Sequence, residues 1–308
     1  MRRRKQFLSR AVCMDVDTVS TEATGYLLPA ETTLGAVHLT VADPDVTSRF
    51  YQGLLGYKPA DGGEGRITFS ATGEPPAQLV LTGTQEGRRR RTAGLYHFAI
   101  LLPSRRDLAR ALRHLIESAV RINGASDHGV SEAIYLQDPE GNGIEIYADR
   151  PRERWPMRGG TLAMGTTALD VEDLLAQDAR PWEGVPEGTR IGHVHLHVAS
   201  LGRAERFYAG VLGFEVTVRG YPDALFLSAG GYHHHIGLNT WAGTDIAPRD
   251  PLDAGLRYFT VVLPDRAALH AALDRLRAAG APLEEPGEGE RGGWLTRDPD
   301  GIGVLLTS

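Results

Sequence analysis

The sequence predicts an α+β fold made of four βαβββ modules that form two open-cup, half-barrel domains. Three observations lead there. The stretch "LGAVHLTVADPDVTSRFYQGLLGY" from Leu34 repeats at a constant offset as "IGHVHLHVASLGRAERFYAGVLGF" from Ile191. A second pair repeats as well: "AGLYHFAILLPSRRDLARALRHLIESA" from Ala93 and "AGLRYFTVVLPDRAALHAALDRLRAAG" from Ala254, ending in "DPEGNGIEIY" and "DPDGIGVLLT". Each copy opens with an alternating apolar and polar run, which reads as a strand, and then changes to the three-and-four apolar spacing of a helix.

In chain order, residues 1–33 read as a mostly disordered tail. The opening "MRRRKQFLSR" loosely resembles a twin-arginine export signal, but Asp15 and Asp17 follow where an apolar core is needed. Met14 is a candidate start. The first module spans 34–88, and the basic run Arg88 to Arg91 after it reads as a solvated loop. The second spans 93–148, where Leu108, Ala111, Leu112 and Leu115 form the apolar stripe of an amphipathic helix. Short alternating runs then follow, punctuated by glycine and Asp-Pro turns. A polar connector covers 149–190, with one helical segment near "ALDVEDLLAQ". The third and fourth modules span 191–241 and 254–307. Paired in chain order, the modules give domains at 34–148 and 191–308.

The net charge of −6 argues against nucleic acid, whose binding requires a basic face. The single cysteine, Cys13, allows no internal disulfide and suits a reducing cytoplasm. No apolar stretch is long enough to span a membrane. Whether the chain forms a homo-oligomer is left open.

The repeats and the long runs "GLYHFAILLP", "SEAIYLQDPEGNGIEIYADRPR" and "HHHIGLNTW" resemble the vicinal oxygen chelate superfamily. That superfamily includes glyoxalase I, bleomycin-resistance proteins and extradiol dioxygenases. The nearest likeness is to two-domain bacterial catechol 2,3-dioxygenases, and it covers the chain from residue 34 onward. The resemblance implies paired βαβββ units around a divalent metal, iron(II) with manganese(II) as the alternative. It also implies a catechol or substituted catechol and O2 as substrates.

Carried over residue by residue, the family's ligand positions fall on His97 and Glu145 of the second module and His193 of the third. The other copies carry Ala36, Tyr258 and Leu305 at these places. The second and third modules are therefore expected to share the one active cup, which a strictly chain-ordered pairing would prevent unless a dimer brings them together. Two imidazoles and a carboxylate suit a non-haem iron(II) oxygenase, because one face of the metal stays open. A carboxylate in the apolar "GIEIY" would be costly to bury without a partner.

His195 and His197 share the face of His193 by strand alternation. His195 is a candidate for contact with substrate, although His38 recurs at its position in the first module, which favours packing. In "GYHHHIGLNTW" the resemblance puts the acid–base histidine at His234, with His235 as the neighbouring alternative. Tyr135, ten residues before Glu145, matches a family tyrosine that bonds to a substrate oxygen. Asp127 and His128, in "SDHGVSEAIY", are candidates to orient the site, and Trp241 to line the cup. Two other functions compete. A lyase or isomerase of the superfamily would use a second carboxylate, and "HHHIG" offers none. A metal-free binder of small aromatics would be expected to have lost the ligand set.

Overall fold

The structure is a computed structural model and describes residues 25–63, 65–85, 92–250, 252–285 and 293–308. The basic run Arg88 to Arg91, Cys13 and Met14 lie outside the described residues. The first module is β1 (Thr33–Val41), α1 (Pro44–Arg49), β2 (Lys58–Ala60), β3 (Ile67–Ser70) and β4 (Leu79–Gly83). The second is β5 (Gly94–Leu101), α2 (Arg105–Glu117), β6 (Gly124–Asp127), β7 (Ser131–Gln137) and β8 (Gly143–Asp149). The connector holds β9 (Met157–Arg158), β10 (Thr161–Leu162), β11 (Thr167–Ala168) and α3 (Val171–Leu175). The third module is β12 (Arg190–His197), α4 (Leu201–Glu205), β13 (Glu215–Val218), β14 (Ala224–Ser228) and β15 (Ile236–Asn239). The fourth is β16 (Gly255–Val262), α5 (Arg266–Ala278), β17 (Trp294–Arg297) and β18 (Gly303–Thr307). Here the strand expected between α5 and β17 is reduced, among the described residues, to one bridge between Glu284 and Leu295.

Local chemistry starts and ends these elements. Ser104 and Asp265 cap α2 and α5 by accepting the backbone N–H of Asp107 and Ala268. On α2, Leu108, Ala111, Leu112 and Leu115 are all buried, as the spacing predicts. α1 and α4 each run into a π-helical turn that carries a buried tyrosine, Tyr51 or Tyr208.

The strands form two large sheets. One has the order β17-β18-β16-β1-β4-β3-β2, the other β11-β6-β7-β8-β5-β12-β15-β14-β13. The division into cups at 34–148 and 191–308 is thereby corrected: each sheet takes one module from each half of the chain. The reason lies in the edges. Every module pairs its first strand in parallel with its own last strand, leaving one free edge on the first strand. β1 closes that edge antiparallel against β16, and β5 against β12. Chain neighbours are held differently. The Tyr51 hydroxyl donates to Asp138 at 2.9 Å, and Tyr208 to Asp298 at 3.1 Å. One continuous apolar core includes Leu39, Phe98, Leu196 and Phe259, one from the first strand of each module.

Two further corrections concern segments expected to be loose. The end of the 1–33 tail packs: Leu28 is buried and donates its N–H to Gly213 at 2.8 Å, while Arg275 sits over the Tyr26 ring. The connector is also more than a link, since β11 extends the nine-stranded sheet by pairing with β6. The described residues include no helix long and apolar enough to cross a membrane.

Asp138 also accepts the backbone N–H of Glu140 and Asn142 from its buried turn. Tyr51→Phe removes one donor from this carboxylate and should destabilise the fold by about 1–3 kcal/mol. Urea unfolding checks this, and a midpoint equal to that of the unmodified chain would show that the bracket contributes nothing.

Candidate metal and substrate site

Strand register alone assembles the first part of the site. His193 on β12 stands opposite Ala99 on β5, and Ala99 stands opposite Glu145 on β8. The three make one row across the sheet, where neighbouring strands lie about 4.8 Å apart. Ala99 is the middle residue, and its single methyl leaves room for the two longer side chains to meet above it. His97, two residues from Ala99, shares its face by alternation. The result is a buried cluster in which His97, Glu145 and His193 each offer a ligand atom within 4.8 Å of the others.

Nε2 of His97 and Nε2 of His193 both approach the same oxygen, Glu145 Oε2, at 2.9 and 3.1 Å. The His193 contact is a hydrogen bond, whereas the buried His97 Nε2 has the distance but not the direction of one. Burial opposes charge on Glu145, but the facing His193 and His97 rings outweigh it and hold its carboxyl well below the usual range. Burial lowers His193 to about 4 against the pull of Glu145. A neutral imidazole, an ionised carboxylate and a second imidazole nitrogen without a bond partner are the donor set that a divalent cation needs.

Above this cluster lies a cavity of about 800 Å³ that contains all three residues. His234 lines it with its ring 4.1 Å from that of His193. Burial, and then the neighbouring histidines His193 and His233, lower His234 well below the usual range, so the ring is neutral near pH 7. His235, the alternative to His234, is turned away: its Nδ1 accepts the N–H of Ala229, and its ring lies among Tyr232 and Phe214. The segment 231–235 is irregular rather than a strand, so simple alternation does not govern its three histidines. The rings of His233 and His234 in fact touch through their Nδ1 atoms at 2.8 Å.

Tyr135 and His128 are brought together, hydroxyl to Nε2, at 2.6 Å, and both line the cavity. The Nδ1 of His128 faces the Gly165 carbonyl at 2.9 Å. Asp127 is not brought to the cavity. Its carboxylate pairs with Arg150 at 2.7 Å and accepts the N–H of Gly129, so it does not reach substrate and instead supports the turn that carries His128. Trp241 and His195 face each other across the cavity wall at 5.2 Å, with Tyr96 edge-on to both. His197 bonds to Asn239 at 2.6 Å.

Sequence reasoning gave no role to five residues at or behind the cavity. Met164 and Thr166 reach the cavity from the connector, and no periodicity marked them. Tyr96 lies beside His97 in "LYHF" and supplies the wall between His195 and His197. Asp149 and His233, joined at 2.9 Å behind His234, stand inside the quoted runs but were given no role. The alternation of Glu145, Tyr147 and Asp149 along one face of β8 was the signal available for Asp149.

A family model for the glyoxalase/bleomycin resistance protein/dioxygenase superfamily matches residues 33–146 and 190–306. The chain is 45% identical over 268 residues to a catechol-2,3-dioxygenase of Bacillus subtilis (strain 168), covering 83% of this chain and 91% of that one. A biphenyl-2,3-diol 1,2-dioxygenase of Rhodococcus globerulus is 29% identical over 129 residues, or 39% of this chain and 67% of its own. Among solved structures, glyoxalase I from Zea mays superposes with a TM-score of 0.54 at 17% identity, over 89% of this chain and 92% of that one.

Two outcomes follow from the geometry. Glu145→Ala should abolish retention of a divalent metal through desalting, read by elemental analysis, while full retention would remove Glu145 from the ligand set. The acid stability of the metal-free protein is the second. His193 and His235 are lowered to about 4 and about 3, so the unfolded chain binds more protons than the folded one below about pH 6.5. The stability these neutral rings confer is complete above that pH and is lost as pH falls toward their folded values. The melting temperature should therefore drop steadily from pH 7 to pH 4, and a flat profile would contradict the neutral, buried assignment.

Proposed function

The chain belongs to the glyoxalase/bleomycin resistance protein/dioxygenase superfamily, and from that premise we propose that it is an extradiol dioxygenase. Its substrates are a catechol or substituted catechol and O2, and the ring opens beside the diol. The observation that carries this reading is the convergence of His97 and Glu145 from one half of the chain and His193 from the other. They meet on the floor of one cavity, in a protein 45% identical to a catechol-2,3-dioxygenase.

His97, Glu145 and His193 would hold the metal, with iron(II) as the ion these donors favour and manganese(II) as the alternative. Iron bound there would supply Lewis-acid and one-electron redox chemistry for the reaction of a diol with O2. The remaining work falls to the chain. His234, neutral and facing the cavity, takes the proton of a substrate hydroxyl as general base and returns it as acid when the ring opens. Tyr135, fixed by His128, holds a substrate oxygen next to Glu145. Tyr96, Phe226, His195 and Trp241 wall the cavity with rings and keep bulk water from the reacting diol. The only metal-type cluster among the described residues contains one carboxylate, not the two expected of a superfamily lyase. With its single cysteine and net negative charge, the enzyme is assigned to the cytoplasm, with no nucleic-acid partner.

Loading with iron(II) under anaerobic conditions, followed by air and a panel of catechols, should give a yellow ring-opened product. Full iron occupancy without turnover of any diol would overturn the reading. His234→Gln should keep its iron and lose about 10²–10⁴-fold in kcat. An unchanged kcat would remove His234 from the proton path.

A further inference from the structure

Behind His234 lies a chain of polar groups that reaches the end of β8. His234 Nδ1 meets His233 Nδ1 at 2.8 Å, and His233 Nε2 meets Asp149 Oδ1 at 2.9 Å. Asp149 also receives the Tyr232 hydroxyl at 3.0 Å, and Tyr232 in turn bonds to the Tyr147 hydroxyl at 2.8 Å. We propose that Asp149 and His233 are positioning residues that fix His234 as the tautomer protonated on Nδ1, so that its bare Nε2 faces the cavity.

The direction of each hydrogen bond follows from its end group. A carboxylate only accepts, so the proton between Asp149 and His233 sits on His233 Nε2. In the proposed relay His233 carries this one ring proton, so its Nδ1 accepts. The proton of the second bond must then sit on His234 Nδ1. His234 Nε2 is left with a lone pair and belongs to a side chain that lines the cavity. A base needs that lone pair toward the substrate hydroxyl. The opposite tautomer would present an N–H there and could not take a proton.

His233 is fully buried against the rings of Tyr232 and Trp155 and does not line the cavity, so it acts through His234 and not on substrate. The placement also ties the base to the metal cluster. Glu145, Tyr147 and Asp149 alternate along one face of β8, so the strand that supplies the carboxylate ligand also anchors the relay two positions beyond Tyr147.

The inference rests on the dioxygenase reading, and the test separates the two. Full-length, metal-free protein labelled with ¹⁵N-histidine is compared by NMR with His233→Phe and His233→Gln, while the iron-loaded forms are assayed with catechol. His234 should be protonated on Nδ1 in the unmodified chain and in His233→Gln, whose amide can accept from His234 and donate to Asp149. It should be protonated on Nε2 in His233→Phe. That variant should lose about 10²–10⁴-fold in kcat with KM and iron content little changed, as expected of a base held in the wrong tautomer. His233→Gln should recover most of the loss. An Nε2–H ring in the unmodified chain overturns the inference. So does a kcat loss in His233→Phe without a tautomer change, or one that His233→Gln does not relieve. Absence of turnover by the unmodified iron-loaded enzyme would instead overturn the dioxygenase reading, with the tautomer still decided by the spectrum.

Discussion

The antiparallel seam between β5 and β12 is the constraint on which the site depends. It sets His193 opposite Ala99 and His195 opposite His97, and β8 adds Glu145 on the far side of Ala99. A shift of one residue along this seam would turn His193 to the opposite face, since side chains alternate with a period of two. The seam is therefore fixed by what it buries as well as by its backbone bonds. Gly143 and Gly192 belong to the same arrangement. A Cβ on Gly143 would lie 2.0 Å from the Tyr96 carbonyl, and one on Gly192 would lie 1.8 Å from the Tyr147 hydroxyl. Glycine at 143 lets β8 lie close against the β5 backbone, and glycine at 192 leaves the space that the Tyr147 hydroxyl fills.

The seam also concentrates cost. It buries a carboxylate and four histidines, His97, His193, His195 and His234, around one cavity wall. Burial leaves the Nε2 of His97 and of His195 and the Nδ1 of His193 without hydrogen-bond partners. Unsatisfied buried groups destabilise by roughly 1–3 kcal/mol each, so the cluster opposes folding unless something binds to it. A cation that binds the folded state alone would reverse the sign, because its binding free energy adds directly to stability. The groups that oppose folding are thus the groups that would favour metal.

The repeats and the helix stripe on α2 were legible from spacing, and the candidate ligand cluster from the family resemblance and a comparison between copies. Ala36, Tyr258 and Leu305 mark where ligands are absent, and this difference pointed to the second and third modules before any geometry was known. Strand edges do not record in sequence which partner closes them, so the pairing was legible only through the candidate ligand positions and not from the strands themselves. The choice between His234 and His235 could not be made from periodicity, because residues 231–235 leave the strand and alternation has no force in an irregular segment. Asp127 sits in the turn that the spacing suggested, but Arg150, distant in sequence, takes its carboxylate. Leu28 and Tyr26 looked like tail because their packing partners, Gly213 and Arg275, lie far along the chain.

The other sheet shows what the seam does without the chemistry. It repeats the register, with His38 opposite Tyr258 where the first has His195 opposite His97. Its counterpart of the Ala99–Glu145 pair is Thr260 opposite Leu305, and Ala36 stands where His193 would be. His38 bonds to Thr82 and packs edge-on against Tyr258 at 4.7 Å, so the ring serves packing. This copy has exchanged ionisable groups for apolar ones in a row with the same backbone. A conventional core of this kind can carry a destabilised neighbour, because Leu39, Phe98, Leu196 and Phe259 belong to one apolar cluster. Because the sheet with the candidate ligand cluster and the sheet without it share a single apolar core, the second sheet's conventional packing supports the first, whose polar row opposes folding.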